Sequence, residues 1–194
     1  MKEHSVNKLN NFIAGWYLED TKICDDILKF FETRAVKEPG MFLFKDGSRI
    51  VDPSIKDSVD GCLDDPDLFR DYGALVFRAA QLYQEKYTFC KKPEDLVIKE
   101  YHNIQYYSPN GGYHVWHSER GSSPLTLQRC LAYMTYLNDV SDGGETEWFY
   151  QNLKIKPEKG LTVIWPTDWT FTHRGITSPT QEKMIVTGWI SQRV

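Results

Sequence analysis

The chain has 194 residues, 41% hydrophobic and 26% charged, the balance of a folded soluble protein rather than a disordered one. A net charge of −4 leaves no basic excess for nucleic-acid phosphates, and no apolar run approaches the ~20 residues of a transmembrane helix. The polar start, MKEHSVNKLNNF, lacks the apolar stretch of a secretory signal, so the expected location is cytoplasmic.

This length suits one domain over residues 1–194 with a single sizeable core. The 6 Trp and 11 Tyr require a large core, a ring-lined cleft, or both. Cys24, Cys62, Cys90 and Cys130 show no paired spacing and read as free thiols.

Residues 1–95 or so read as a mostly helical support. Ile23, Ile27, Phe30 and Phe31 recur at helical spacing from Lys22 to about Arg34, with Asp20 or Thr21 as N-cap. Glu38, Pro39 and Gly40 then break the pattern, and a short strand is expected at Met41–Phe44. Asp65 before Pro66 marks a second helix start. Leu68, Tyr72, Leu75, Ala79 and Tyr83 share its face, and Lys91, Lys92 and Pro93 close it. From about residue 96 the period falls from 3.6 to 2. Strands are expected at Val97–Tyr107, Tyr113–Glu119, Gln128–Leu137, Glu145–Tyr150, Leu161–Trp165, Thr170–His173 and Lys183–Ser191, divided by glycine turns. The pattern predicts a mainly β fold with N-terminal helices, a sandwich or barrel buttressed by them.

Side chains two apart on a strand share a face, so His117 and Glu119 can converge on one metal ion. His173 is the well-placed imidazole downstream. Two His and one carboxylate leave three positions of an octahedron open, the facial triad of non-haem Fe(II) oxygenases. A His-x-Glu pair is also an ordinary surface feature, and His114 with His117 makes a zinc pair if the segment is helical. The Gly111-Gly112 turn favours a strand, which puts His114 on the face opposite His117.

The segment from Tyr107 through Pro109, Gly111, Tyr113 and His117 to Glu119 resembles the metal-binding strand of prolyl 4-hydroxylase-type 2-oxoglutarate/Fe(II) oxygenases. Arg129 through Tyr133 and Thr135 to Tyr136-Leu137-Asn138-Asp139-Val140, then Gly143-Gly144-Glu145-Thr146, are similar to the family's next strand and turn. Lys156-Pro157, Lys159-Gly160, Trp165-Pro166 and His173-Arg174-Gly175 are similar to the blocks after that. The likeness runs from about Tyr101 to Ile190 in the family's order. It implies a double-stranded β-helix, a jelly-roll variant, with its core over about 96–194. It also implies Fe(II) on His117, Glu119 and His173, 2-oxoglutarate and O2 as cosubstrates, and ascorbate as a further cofactor. Lys183, ten residues beyond His173, matches the family's cation for the distal carboxylate of 2-oxoglutarate. Tyr107 and Thr135 match positions near the cosubstrate, and strand parity sets Thr187 and Trp189 on the face of Lys183.

Two positions place the chain among the family's branches. Glu119 stands where aspartate is usual, one methylene longer; keeping a carboxylate argues against the related halogenases. Lysine rather than arginine at 183 argues against the nucleobase-demethylating branch. The implied activity is hydroxylation of a C–H bond, coupled to decarboxylation of 2-oxoglutarate, on peptidyl or free proline. Tyr106, Tyr113, Trp116, Trp148 and Trp169 are the rings available to a proline-rich peptide. Two rival readings are a non-catalytic jelly-roll module that retains a metal, which the Glu119 departure favours, and a zinc hydrolase on His114, His117 and Glu119. Neither nucleic acid nor membrane is expected as a partner.

Overall fold

The computed structural model describes residues 1–6, 11–43, 48–91 and 96–193. Helix α1, Lys22–Thr33, begins after Thr21, but Asp20 makes the capping bond, its Oδ1 accepting from the Lys22 amide at 2.8 Å. The helix buries Cys24, Ile27, Phe30 and Phe31. Helix α2, Pro66–Lys86, opens as its sequence requires. Asp65 accepts from the Leu68 amide at 3.0 Å, and proline takes a first-turn position where no amide bond is lost. It buries Tyr72, Val76, Ala79, Ala80 and Tyr83 and ends at Lys86, before the expected Lys91; Lys92 and Pro93 lie outside the described residues.

The first half also contains β1 (Lys2–His4), β2 (Ala14–Tyr17), β3 (Lys37–Pro39), β4 (Phe42–Leu43), β5 (Arg49–Ile50), β6 (Lys56–Asp57) and β7 (Val59–Cys62). The second half adds β8 (Leu96–Val97), β9 (Asn103–Tyr107), β10 (Gly112–Tyr113), β11 (Arg129–Tyr136) and β12 (Thr146–Trp148). β13 (Leu153–Ile155), β14 (Leu161–Pro166), β15 (His173–Gly175) and β16 (Lys183–Gln192) complete it. The main antiparallel sheet runs β1-β2-β14-β11-β16-β9-β7-β3, with β8 beside β16, and a minor sheet runs β13-β12-β15.

Alternation along the central strands separates two cores. Leu131, Tyr133, Met184, Val186 and Ile190 pack against α1 and α2. Met134, Tyr136, Val163, Trp165 and Ile185 point the other way and meet Trp148, Ile155 and Phe171. Helices, main sheet and minor sheet thus form three layers, the helix-buttressed jelly roll expected from the sequence.

Several boundaries differ from expectation. The helical support also supplies strands: β1 and β2 extend one edge of the main sheet, β7 and β3 the other. Val97–Tyr107 divides into β8 and β9. Tyr113–Glu119 is not one strand, because β10 pairs with β6 before the chain crosses to β15, where His117 makes a lone bridge with His173. Thr170–His173 opens instead with a 3-10 turn, Trp169–Phe171, and the strand starts at His173. Of Met41–Phe44, Phe42–Leu43 is a strand and Phe44 lies outside the described residues. Among the described residues no helix is long and apolar enough to cross a membrane.

Candidate active site

The lone bridge assembles the site. The His117 amide donates to the His173 carbonyl at 3.0 Å, and the His173 amide donates back to the His117 carbonyl at 2.9 Å. The two rings, far apart in sequence, are thereby held 4.4 Å apart between centroids. Each imidazole is oriented through Nδ1, which lies 3.1 Å from the Val115 carbonyl in His117 and 2.9 Å from the Phe171 carbonyl in His173. A carbonyl only accepts, so Nδ1 carries the proton and Nε2 keeps its lone pair. Glu119 brings Oε1 to 3.3 Å from His173 Nε2 and 3.7 Å from His117 Nε2. All three atoms lie within 4.8 Å of one another, in a cavity of about 810 Å³.

Burial alone would raise the Glu119 carboxyl, but the two imidazoles outweigh it and hold it well below the usual carboxylate range. Burial, together with His173, lowers the imidazole of His117 despite the neighbouring carboxylate. An ionised carboxylate and a neutral imidazole are the forms a metal ion needs.

On β16, Lys183, Ile185, Thr187 and Trp189 all line this cavity, as parity requires, with Tyr107 of β9 beside Lys183. Lys183 is 5% exposed. Its Nζ donates to the Gly144 carbonyl at 3.0 Å and lies 5.0 Å from the Tyr107 ring centre. Gly144 has φ +78°, and an added Cβ would meet Val140 at 2.9 Å, so glycine alone fits the turn that aims this carbonyl at Lys183. Burial brings the ammonium down to about 8, with Glu145 opposing the shift. Among the described residues no carboxylate makes an ion pair with Lys183, so the cavity holds a buried cation that lacks an anion. The Tyr107 hydroxyl donates to Gln105 at 2.6 Å, that of Thr187 donates to the Tyr133 carbonyl at 2.9 Å, and Trp189 Nε1 donates to Glu119 Oε2 at 2.8 Å.

Thr135 corrects the sequence reading. Its neighbour Met134 faces the cavity, so parity turns Thr135 toward α2, where its hydroxyl lies 2.8 Å from both Tyr72 and Thr162. It does not reach a cosubstrate in the cavity. Of the rings set aside for a peptide, Tyr113 lines the cavity and stacks on His117 at 3.7 Å. Trp148 is fully buried beside Trp165, and Tyr106 packs toward the helices on Phe31. Trp116 and Trp169 lie on the exterior with Phe149 and Tyr150. His114 is outside the ligand cluster. Arg129 was given no role from the sequence. It is buried in the cavity wall, grips both Glu100 oxygens at 2.8 and 2.5 Å, and stacks 3.4 Å from the Trp189 ring centre. Its signals were its place at the head of the family-like block and its charge at the start of an otherwise apolar strand.

Residues 102–191 match the family described as the 2OG-Fe(II) oxygenase superfamily. No curated protein matches the chain. Among solved structures, a prolyl-4-hydroxylase from Pseudomonas putida aligns with a TM-score of 0.67 at 14% identity, covering 94% of both chains. A viral collagen prolyl hydroxylase from Paramecium Bursaria Chlorella virus-1, in complex with 2OG, aligns at 0.64 and 15% identity, covering 95% of this chain and 98% of that one. A Trichoplax adhaerens prolyl hydroxylase in complex with a hypoxia inducible factor peptide fragment aligns at 0.66 and 14% identity, covering 94% and 84%. At such identities these likenesses speak to the fold.

Proposed function

We infer that this chain, a member of the 2OG-Fe(II) oxygenase superfamily through residues 102–191, is a single-domain hydroxylase acting on proline, in a peptide or free. One observation carries the reading: three metal-donor atoms converge in the same cavity as a buried lysine without an anion. The donors fit the metal. Two neutral imidazole nitrogens and one carboxylate oxygen suit Fe(II) and leave open positions. His117, Glu119 and His173 would hold it, each imidazole locked by its Nδ1–H bond to a backbone carbonyl.

When bound, Fe(II) supplies the oxidation: O2 gives one oxygen atom to the substrate C–H bond and the other to succinate, as 2-oxoglutarate loses CO2. The chain's own residues bind, orient and exclude water. Lys183 pairs with the distal carboxylate of 2-oxoglutarate, giving the ammonium its missing anion. Tyr107, beside it, walls that end, while Met134, Trp165 and Ile185 keep the interior apolar. Thr187 presents a hydroxyl oxygen that can still accept. Proline is supported by the fold shared with prolyl hydroxylases, one of them peptide-bound.

An anaerobic titration with Fe(II) and 2-oxoglutarate tests the class, read as a visible metal-to-ligand charge-transfer band. His117→Ala and His173→Ala should each lose the band and succinate production while keeping the far-UV circular dichroism of the parent. Full succinate production in either variant would remove that residue from the ligand set. Mass gain of one oxygen on a proline-rich peptide or on free proline identifies the substrate, and gain on neither refutes the proline assignment.

A further inference from the structure

Glutamate is an awkward third ligand. Its extra methylene adds a rotatable bond, and two oxygens able to reach the metal would take a position that cosubstrate or O2 needs. The surroundings of Glu119 address both difficulties. Oε1 faces His117 and His173, whereas Oε2 accepts from Trp189 Nε1 at 2.8 Å. The indole is itself fixed, its ring centre 3.4 Å from the Arg129 guanidinium. Arg129 Nη1 donates to the Glu119 backbone carbonyl at 3.1 Å and stays 3.8 Å from Oε2. Glu100 takes Arg129 in a two-point pair, so the guanidinium is neutralised from the far side. The side chains of Arg129, Glu100 and Glu119 are 8%, 14% and 14% exposed, which keeps water from screening these contacts.

We propose that Trp189, seated on the Glu100–Arg129 pair, is a positioning residue that lets glutamate serve as the carboxylate ligand by occupying Oε2 and leaving Oε1 alone to the metal. This rests on the ligand role proposed for Glu119. Two carboxylates share one guanidinium, so one negative charge remains for the cation. Without Glu100, Arg129 would turn its full charge on Glu119 and compete with the metal.

The test is a double-mutant cycle on Co(II) affinity, measured by isothermal titration of the full chain without cosubstrate. Trp189→Phe keeps a ring beneath Arg129 and removes the N–H; Glu119→Asp withdraws the carboxylate by one methylene. Trp189→Phe should weaken Co(II) about tenfold in the parent, as loss of an outer partner commonly does, and less than about twofold in the Glu119→Asp background. The visible Co(II) spectrum should shift with Trp189→Phe in the parent alone. An equal loss in both backgrounds, or none in either, overturns the proposal. Glu100→Gln is the second arm: the freed Arg129 should weaken Co(II) about tenfold, and unchanged affinity overturns the arrangement even if Trp189→Phe does not fold. A parent that takes up no Co(II) overturns the oxygenase reading as well, whereas a parent that binds with an additive cycle overturns only the positioning role.

Discussion

An ammonium brought down to about 8 by burial sits close to losing its charge, so the 2-oxoglutarate contact proposed for Lys183 should be sensitive to pH. Below about pH 8 it is protonated and can hold a carboxylate; above that the contact is lost progressively. Affinity for 2-oxoglutarate should therefore hold from pH 7 to 8 and then fall toward tenfold per pH unit. Lys183→Arg should flatten that profile, since a guanidinium stays charged. Lys183→Ala at pH 7 should weaken 2-oxoglutarate about tenfold to a hundredfold with metal affinity unchanged. Titration calorimetry with Mn(II) in place of iron reads all three. Thr135→Val should behave in the opposite way. Its hydroxyl lies between Tyr72 and Thr162, so 2-oxoglutarate affinity should be unaffected while urea denaturation shows a loss of about 1–3 kcal/mol. The resemblance pointed to both residues, and parity separates them. Counting by twos from Lys183 to Thr187 and Trp189 agrees with the cavity face of β16, whereas on β11 the same count sets Met134 and Tyr136 inward and turns Thr135 away.

Among elements, the long ones were legible and the short ones were not. α2 carries its own punctuation in Asp65 and Pro66, and β11 and β16 are long enough to show alternation. β1, β2, β3 and β7 have three or four residues each, too few for a period, and their pairing depends on partners far along the chain. The crossing between β10 and the His117 bridge was hidden for the same reason, although His117 and Glu119 still converge. The β11–β16 pair also contains a fit that no pattern reveals. Gly188 lies opposite Tyr133, and a Cβ there would come within 2.2 Å of the phenol oxygen. Gly188→Ala should force that ring aside and cost about 1–3 kcal/mol, read as a lower midpoint in urea with an unchanged slope. A midpoint equal to the parent's would mean the ring moves freely.

For the whole molecule, the phenol of Tyr133 leads to the weak point of the helix-facing core. It lies against His102 Nδ1, and His102 is completely buried, packed on Phe69 and Tyr72. Burial brings this imidazole down to about 4, only slightly opposed by a backbone contact at Phe69. The unfolded chain takes up the proton near pH 6.5, the folded one only near pH 4, so the unfolded state binds more protons between them. Stability is thus fully present above pH 6.5 and lost as pH falls through 4, by roughly 3 kcal/mol in all. Denaturant midpoints between pH 7 and 4 should show this slope, and His102→Gln should make it shallower. An unaltered slope would place acid sensitivity in the carboxylates instead.

The bridge between His117 and His173 is made of backbone hydrogen bonds, so neither imidazole ring is spent in holding the two segments together. Such a donor set, two imidazoles and one carboxylate, suits several divalent ions besides iron. Its preferences follow the intrinsic ranking of divalent ions, in which Fe(II) stands below Co(II), Ni(II), Cu(II) and Zn(II). Affinity alone therefore does not select iron, and metal supply has to contribute. Protein produced where zinc is plentiful should carry zinc and turn over no 2-oxoglutarate, with turnover returning once the zinc is exchanged for Fe(II).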